Sequence, residues 1–179
     1  PRSSPVIDGP TVYVLSSLGR LAALSAKDGK EKWSVDFREA FESTVPRFGF
    51  SGSPVIIKDR LFIEAGGGEG ECLVAFNKNT GDVIWKAQDG SAGYNTPIVV
   101  NLLGEQQLVW VRRDQIVATN VDGETLWSQA WEPNGETHSQ PIFLAPNRFF
   151  VSGTNSAGAL VFAVDKAADG YTTQEVWRN

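Results

Sequence analysis

Four segments of this chain share one pattern, in which a glycine precedes a tryptophan by a fixed interval. Gly29, Gly81 and Gly123 each stand four residues before a tryptophan, whereas Gly170 stands seven residues before one. The pattern opens on an alanine, and its residues are Ala23, Gly29 and Trp33; Ala75, Thr80, Gly81 and Trp85; Ala118, Gly123 and Trp127; and Ala163, Gly170 and Trp177. Such regularity indicates that the chain is built from copies of one structural unit.

A proline marks the start of each copy. Pro5, Pro54, Pro97 and Pro141 each follow a polar residue and precede a β-branched one, and the intervals between them are 49, 43 and 44 residues. A period of about 40 to 50 residues is typical of propeller blades and of helical arrays. The residues between the landmarks have to decide between these two architectures.

Those residues favour strands. Thr11–Leu15 (TVYVL) is rich in β-branched residues, Asp28-Gly29 is typical of a hairpin turn, and no segment has the period of an amphipathic helix. The sequence therefore predicts an all-β fold, a partial β-propeller of about four four-stranded antiparallel blades. The predicted blades cover residues 1–37, 50–89, 93–131 and 137–179 of one domain.

Residues 38–49 (REAFESTVPRFG) interrupt the repeat between the first two predicted blades. The segment REAFE is compatible with one helical turn ahead of Pro46. Insertions of this kind lie on one rim of a repeat protein, where partners bind. We therefore take Arg47 of this insertion as a candidate binding residue.

Charge and cysteine content exclude several functions. A net charge of −5 and a pI near 4.9 argue against a nucleic-acid partner, which requires clustered Lys and Arg. The pair Arg112-Arg113 is followed at once by Asp114 and is better explained as a solvated turn. Cys72 is the sole cysteine, so no intrachain disulfide can form, and its apolar neighbours predict a buried thiol. No apolar run is long enough to predict a membrane span.

Two segments resemble ligand loops only in part. Residues 66–70 (GGGEG) lack the Gly-Lys-Ser/Thr ending of a phosphate loop and join two predicted strands, so a wide hairpin is expected. The longer turn of the fourth copy has two acidic positions of a calcium loop, Asp165 and Asp169, but Ala167 and Val176 occupy other ligand positions. The sequence therefore predicts neither a phosphate loop nor a metal site here.

The repeated pattern resembles the tryptophan-docking motif of the quinoprotein propellers, whose fuller form is A-x-D-x-x-T-G-x-x-x-W. The second copy fits this motif except that Asn77 replaces the aspartate, and the first carries Ser25 and Asp28 as substitutes. The third copy is one residue short, and the fourth holds an insertion. The resemblance covers essentially the whole chain. It implies that each tryptophan packs between neighbouring blades of a seven- or eight-bladed ring, of which we expect this chain to be a part.

The PQQ-like repeat family to which this resemblance points has two functional classes. One comprises dehydrogenases that oxidise alcohols or sugars with pyrroloquinoline quinone and calcium, the ion held by Glu and Asn beside an Asp base. The other comprises BamB-like propellers, which bind no cofactor and present loops and an axial funnel to a protein partner or small ligand. A single cysteine cannot form the adjacent-cysteine disulfide of many dehydrogenases. We therefore expect a non-enzymatic scaffold without cofactor in the bacterial periplasm or at the cell surface, and keep a dehydrogenase fragment as the alternative.

Residues that open the inner strands are the candidates for ligand contact, because they would line the funnel of a propeller. These residues are Ser51, Ser53, Tyr94, Asn95, Thr96, His138 and Gln140, together with Arg47 of the insertion. An enzyme that uses His138 is a third possibility. No serine or cysteine nucleophile motif accompanies this histidine, which favours a hydrogen-bonded surface residue.

Overall fold

The computed structural model describes residues 2–132, 136–154 and 158–179, and within them the chain forms sixteen strands and one short helix. The strands of the first half are β1 (Val6–Asp8), β2 (Thr11–Leu15), β3 (Arg20–Ser25), β4 (Glu31–Asp36), β5 (Val55–Ile57), β6 (Arg60–Glu64), β7 (Leu73–Asn77) and β8 (Val83–Ala87). Those of the second half are β9 (Ile98–Leu102), β10 (Glu105–Val111), β11 (Gln115–Thr119), β12 (Thr125–Ala130), β13 (Ile142–Leu144), β14 (Arg148–Ser152), β15 (Ala159–Ala167) and β16 (Gly170–Arg178). The first predicted blade begins at Pro1, which lies outside the described residues.

Each set of four consecutive strands forms one antiparallel sheet, in which strands that follow one another in sequence are hydrogen-bonded neighbours. The prediction of an all-β chain with four four-stranded antiparallel blades is therefore confirmed. The chain also divides into two compact units. Unit 1, Pro1–Thr96, contains the sheets β1–β4 and β5–β8, and unit 2, Pro97–Asn179, contains the sheets β9–β12 and β13–β16.

The turn before the last strand is built around glycine in the first three sheets. Gly29 and Gly81 each donate their N–H to the carbonyl four residues earlier, at 2.9 and 2.8 Å, and both have a positive φ, 72° and 80°. Glycine suits these turns because it has no Cβ to strain a left-handed backbone. Gly123 instead bonds Asn120, three residues earlier, at 3.3 Å. The one-residue deletion in the third copy is thus accommodated by a tighter turn.

The fourth sheet departs from the others in its last hairpin. In the first three sheets the motif alanine lies opposite the motif tryptophan, in the pairs Ala23 with Trp33, Ala75 with Trp85 and Ala118 with Trp127. In the fourth sheet Val161 lies opposite Trp177, and Ala163 lies opposite Gln174. The ladder then continues to the pair Ala167 and Gly170.

The sequence interpretation of this hairpin is therefore corrected in two respects. Val161, and not Ala163, occupies the position that alanine holds in the other three sheets. The additional residues lengthen β15 and β16 and do not enlarge the turn. Extending the ladder is favourable because every second added pair of residues exchanges hydrogen bonds between backbone N–H and carbonyl groups that an open turn would leave to solvent.

The insertion begins with the single described helix, α1 (Phe37–Ala40). The side chain of Asp36 caps this helix by accepting the N–H of Arg38 at 3.0 Å. The helical turn expected from the sequence is present, but it starts at Phe37, which the sequence analysis assigned to the first predicted blade. Phe37 is fully buried and its side chain is part of the core of unit 1, which fixes the start of the insertion against that core.

Each unit has its own apolar core. In unit 1 the core includes Tyr13, Leu21, Phe37, Phe41, Phe50, Leu61, Ile63 and Phe76. In unit 2 it includes Val109, Val111, Ile116, Trp127, Trp131, Phe149, Leu160 and Phe162. None of the helical structure in the described ranges is long and apolar enough to cross a lipid bilayer.

Candidate functional site

The polar residues that precede the prolines form a chain of hydrogen bonds in unit 1. The Ser53 hydroxyl accepts the N–H of Ser4 at 2.9 Å, and the Thr96 hydroxyl accepts the N–H of Ser53 at 2.8 Å. These N–H groups lie just before the first strand of each repeat, where no ladder partner is available. Each hydroxyl therefore ties the start of one repeat to the start of the repeat before it.

The other strand-opening candidates of unit 1 lie beside this chain. The Ser51 hydroxyl donates to the carbonyl of Tyr94 at 3.2 Å. A Cβ built on Gly52 would lie 2.7 Å from the carbonyl oxygen of Asn95, so the two segments approach as closely as glycine allows. Asn95 itself is buried. The structure thus brings together Ser51, Ser53, Tyr94, Asn95 and Thr96.

The insertion between the first two sheets is anchored by buried aromatic rings. The Phe37 ring centroid lies 5.7 Å from that of Phe50 and 6.3 Å from that of Phe76. The Phe41 ring lies 6.0 Å from Phe76, and all four rings are buried. The Phe41 carbonyl also accepts the N–H of Gly68, in the loop between β6 and β7, at 3.2 Å. The underside of the insertion is therefore part of the core of unit 1.

The outer surface of the insertion carries a cluster that we call the Arg–Phe patch, formed by Arg2, Arg47, Phe48 and Tyr94. The Cζ atom of Arg47 lies 5.2 Å from the Phe48 ring centroid, and the Cζ atom of Arg2 lies 5.9 Å from it. The Tyr94 ring centroid lies 5.9 Å from that of Phe48. Phe48 is 38% exposed, so its ring is available at the surface.

The carboxylate at the start of the insertion is held in its charged form. Asp36 accepts a hydrogen bond from Nε of Arg38 at 2.9 Å, in addition to the backbone bond that caps α1. The side-chain hydrogen bond from Arg38 is the main cause that lowers the pKa of Asp36 from 3.8 to about 2. The cap therefore persists over the whole range of ordinary pH.

The two remaining strand-opening candidates belong to unit 2. His138 Nε2 lies 3.2 Å from Oε2 of Glu136, and the histidine side chain is 41% exposed. The neighbouring Ser139 hydroxyl donates to the carbonyl of Ser152 at 2.8 Å. Gln140 is exposed. This arrangement pairs the imidazole with a carboxylate, an ion pair when the histidine is protonated.

Trp33 connects the two sheets of unit 1. Its Nε1–H donates to the carbonyl of Lys78 at 2.9 Å, and the same carbonyl accepts the Tyr13 hydroxyl at 3.1 Å. A Cβ built on Gly81 would lie 2.8 Å from the Trp33 ring, so the indole lies directly against the turn glycine. On its own sheet, Trp33 lies opposite the buried Ala23. The small alanine side chain lets the Tyr13 and Trp33 rings approach to 6.1 Å between centroids.

The aromatic partner on the second strand of the sheet was not predicted from the sequence. In the second sheet the Phe62 and Trp85 rings lie 5.9 Å apart, and in the fourth sheet the Phe150 and Trp177 rings lie 6.2 Å apart. In each case one residue of the third strand lies between the two rings. Ala75 pairs with both Phe62 and Trp85. Val161 pairs with both Phe150 and Trp177. An aromatic residue in each second strand was the available signal, but its register became visible only once the strands were paired.

Trp127 of unit 2 has a different environment. Its Nε1–H donates to Oε1 of Gln107, on its own sheet, at 2.8 Å. Its ring lies 5.4 Å from Phe149 and 5.7 Å from Phe162, and only 4% of the residue is exposed. A Cβ built on Gly170 would meet no described atom within 4 Å, in contrast to Gly81.

The last motif tryptophan, Trp177, is 44% exposed, in contrast to Trp127.

Cys72 is buried, and its thiol lies 3.7 Å from Oε1 of Glu64 and 3.8 Å from the carbonyl oxygen of Ser91. Across residues 2–132, 136–154 and 158–179, no three His, Cys, Asp or Glu residues form a group that could hold a metal ion.

Four meander sheets, three of which share the alanine, turn glycine and tryptophan in one register, define the class as a β-propeller repeat protein of the PQQ-like type. A family model described as outer membrane protein assembly factor BamB matches residues 1–120. This match covers more than half of the chain, so the chain belongs to that family of PQQ-like repeat proteins.

Individual relatives come from both functional classes of the family. The chain is 34% identical over 94 residues to the quinoprotein ethanol dehydrogenase of Pseudomonas aeruginosa. This alignment covers 51% of this chain and 15% of the dehydrogenase. It is 29% identical over 100 residues to the outer membrane protein assembly factor BamB of Escherichia coli. This alignment covers 53% of this chain and 24% of BamB.

A solved structure extends the likeness to nearly the whole chain. The crystal structure of BamB from Moraxella catarrhalis aligns with 98% of this chain, and the aligned part is 47% of the BamB chain. The TM-score is 0.66 and the sequence identity is 19%. At this identity the likeness concerns the fold. The chain spans less than half the length of each of these three relatives.

Proposed function

We propose that this chain is a non-enzymatic binding scaffold that presents the insertion of unit 1 to a partner. The anchoring of the insertion carries this proposal. Phe41 and Phe50 are buried, yet Arg47 and Phe48 between them are exposed. A loop whose underside is already packed loses little conformational entropy when a partner binds, so more of the contact energy remains as affinity.

The motif tryptophans would keep the scaffold rigid. Trp33 contacts the turn glycine and a main-chain carbonyl of the next sheet, which supports the docking role that the family resemblance assigns to it. We propose the same class of role for Trp85, Trp127 and Trp177. The hydroxyl chain from Ser53 to Thr96 would add a second link between repeats, near the strand openings.

The partner and the compartment follow from the relatives as proposals. One relative is named as an outer membrane protein assembly factor. On this ground we propose that the chain acts in the bacterial cell envelope, in the periplasm or at the cell surface, and that its partner is a protein. A small ligand at the strand openings is the less favoured form of the same proposal.

A quinone-dependent dehydrogenase is the second candidate, because the relative of highest identity given above is an ethanol dehydrogenase. The described residues do not fit the groups that this activity needs. The one cysteine, Cys72, is buried, and no group of three metal-ligating side chains is found within the described ranges. Under this alternative, the ligands of the quinone and the ion would have to come from further blades of a longer protein.

Titration of the complete protein, together with any blades beyond this chain, with pyrroloquinoline quinone and calcium, followed by a dye-linked alcohol oxidation assay, separates the two candidates. We expect neither saturable binding of the quinone nor reduction of the dye. A sample with calcium and no quinone serves as the control, because it measures any dye reduction that the ion causes by itself. Saturable binding together with alcohol-dependent turnover would replace the scaffold with the dehydrogenase.

A further inference from the structure

We propose that the Arg–Phe patch binds an acidic peptide segment of a protein partner. In this arrangement the Arg2 and Arg47 guanidiniums pair with carboxylates, and the Phe48 and Tyr94 rings cover an apolar side chain beside them. The inference rests on the proposed scaffold function and specifies the chemistry of the partner.

The placement of the two guanidiniums suits carboxylates. Both Cζ atoms lie within 6 Å of the Phe48 ring centroid, at 5.2 Å for Arg47 and 5.9 Å for Arg2. A guanidinium near an aromatic ring still has N–H groups in its own plane, and these match the two oxygens of a carboxylate. The ring also restricts two long side chains before a ligand arrives, which lowers the entropy lost on binding.

Three arginines of the described chain are paired with carboxylates, whereas within the same residues the two arginines of the patch are not. Arg20, Arg38 and Arg178 each contact a carboxylate, those of Glu31, Asp36 and Glu175 respectively. For Arg2 and Arg47, the described residues provide no such ion pair. In a chain with a net charge of −5, these two cations are therefore a local positive site that can accept a partner's carboxylates.

The aromatic part of the patch supplies the apolar contact. Phe48 is 38% exposed, whereas Phe41 and Phe50 of the same region are buried. The Tyr94 ring lies 5.9 Å from Phe48 at an interplanar angle of 50°, so the two rings present a shallow aromatic surface. Covering such a surface removes apolar area from water, and aromatic residues and arginine are the residues that most often dominate binding energy.

The size of the patch favours a short acidic segment over a lipid surface or a nucleic acid. Binding to an anionic membrane generally uses a cluster of several basic residues, and nucleic acids require contacts to many phosphates. Two guanidiniums beside two rings match one or two carboxylates next to one apolar side chain. The overall negative charge would also oppose approach to an extended anionic surface.

Fluorescence anisotropy with two labelled synthetic peptides tests this assignment on the intact chain. One peptide alternates Glu and Phe, and the matched peptide has Gln in place of every Glu. We expect the Glu peptide to bind, the Gln peptide to bind at least about tenfold more weakly, and the double variant Arg2→Gln with Arg47→Gln to lose about tenfold in affinity for the Glu peptide.

Three further variants make the result specific. The double variant Arg113→Gln with Arg148→Gln removes two exposed arginines in unit 2 and should leave the affinity unchanged, so it matches the change in net charge. Phe48→Ser should weaken binding severalfold with both charges retained. Arg47→Lys should recover only part of the affinity, because an ammonium cannot form the paired contact. Circular dichroism of each variant shows whether the fold is intact.

Equal affinity for the two peptides, or equal loss in the Arg113/Arg148 variant and in the Arg2/Arg47 variant, would overturn the proposal. So would binding only to phosphatidylglycerol vesicles, since it would indicate a lipid surface. These outcomes leave the scaffold function standing, because that function fails on a different measurement, the binding and turnover of quinone.

Discussion

Units 1 and 2 contain copies of the same motif but hold their tryptophans in different ways. In unit 1, Trp33 donates to a main-chain carbonyl of the second sheet and lies against the turn glycine Gly81. In unit 2, Trp127 donates to the Gln107 side chain of its own sheet and packs against two phenylalanine rings. The neighbouring hairpin differs as well, since a Cβ built on Gly170 would meet no described atom within 4 Å, whereas one built on Gly81 would meet the Trp33 ring.

The comparison teaches that the motif sets the position of Trp33 and Trp127 on their own sheets, whereas the surrounding residues, from the same sheet or from the next one, set what each indole contacts. Ala23 and Ala118 occupy the same register position, opposite Trp33 and Trp127. Nevertheless, Trp127 is almost fully buried, and Trp33 is only partly buried. The two tryptophans should therefore contribute unequally to stability.

Replacing each tryptophan by alanine tests this inequality most directly. Trp127→Ala should lower the free energy of unfolding of unit 2 by about 3 to 5 kcal/mol, because it leaves a cavity beside two phenylalanine rings. Trp33→Ala should cost unit 1 about 2 kcal/mol, since part of that ring is already in water. Urea unfolding followed by circular dichroism measures both values.

A loss in Trp33→Ala that equals or exceeds the loss in Trp127→Ala would contradict the comparison. Phenylalanine variants are the matched controls, because they retain a ring and remove only the N–H donor. Trp127→Phe leaves the Gln107 amide buried without its donor, whereas after Trp33→Phe the Lys78 carbonyl still accepts the Tyr13 hydroxyl. The first of these two variants should be the less stable.

The contact between Gly81 and Trp33 can be isolated by a pair of alanine variants. Gly29 and Gly81 have similar φ angles, 72° and 80°, but only Gly81 has the indole within 4 Å of a built Cβ. Gly29→Ala should cost about 1 kcal/mol from backbone strain. Gly81→Ala should cost about 1 to 3 kcal/mol more, because the indole has to move. Unfolding midpoints in urea measure the difference, and equal midpoints would show that the glycine contact contributes nothing.

Acid should weaken unit 1 through the cap of α1. The pKa of Asp36 is about 2 in the folded chain against an ordinary value of 3.8, because Arg38 donates hydrogen bonds to its carboxylate. A lowered pKa contributes stability that is present above pH 3.8 and is lost as the pH falls towards 2. The same direction holds for Asp28 and Glu31, whose pKa values are also lowered.

The variant Asp36→Asn checks this pH effect. It retains an acceptor for the helix cap but cannot titrate, so its urea midpoint should fall less than that of the unaltered chain between pH 3.8 and about 2. Coincident pH profiles would show that Asp36 does not couple to folding. Asp114→Asn, in the β10–β11 turn of unit 2, is a control in which an exposed aspartate is neutralised at a position with no part in the cap.

Much of the fold could be predicted from the sequence because its signals are local. A turn glycine such as Gly81 and a β-branched run such as Thr11–Leu15 specify a hairpin or a strand from a few neighbouring residues. Four repetitions of these signals then indicate four sheets. The fourth hairpin escaped this logic, because alignment on Ala163 cannot show that added residues continue the ladder and place Val161 opposite the tryptophan.

The candidate site was predictable only in part. Arg47 and Tyr94 were selected from the sequence, and both belong to the Arg–Phe patch. Arg2 and Phe48 were not selected, since no local pattern marks them. Arg2 lies at the start of the first repeat, far from Phe48 in the sequence, and its Cζ atom is 5.9 Å from the Phe48 ring centroid. His138 and Gln140, selected by the same reasoning as Tyr94, belong to unit 2, and their role stays a prediction.

What the sequence by itself determined is the number of sheets, their antiparallel order and the position of the motif residues in the first three sheets, because turn chemistry and residue alternation act over a few positions. Tertiary structure decided which group each tryptophan meets and which side chains share the surface of the insertion. Those contacts join residues that are far apart in the sequence, such as Trp33 with Lys78 and Arg2 with Phe48. Their geometry depends on how whole sheets pack, and the packing is a property of the assembled core.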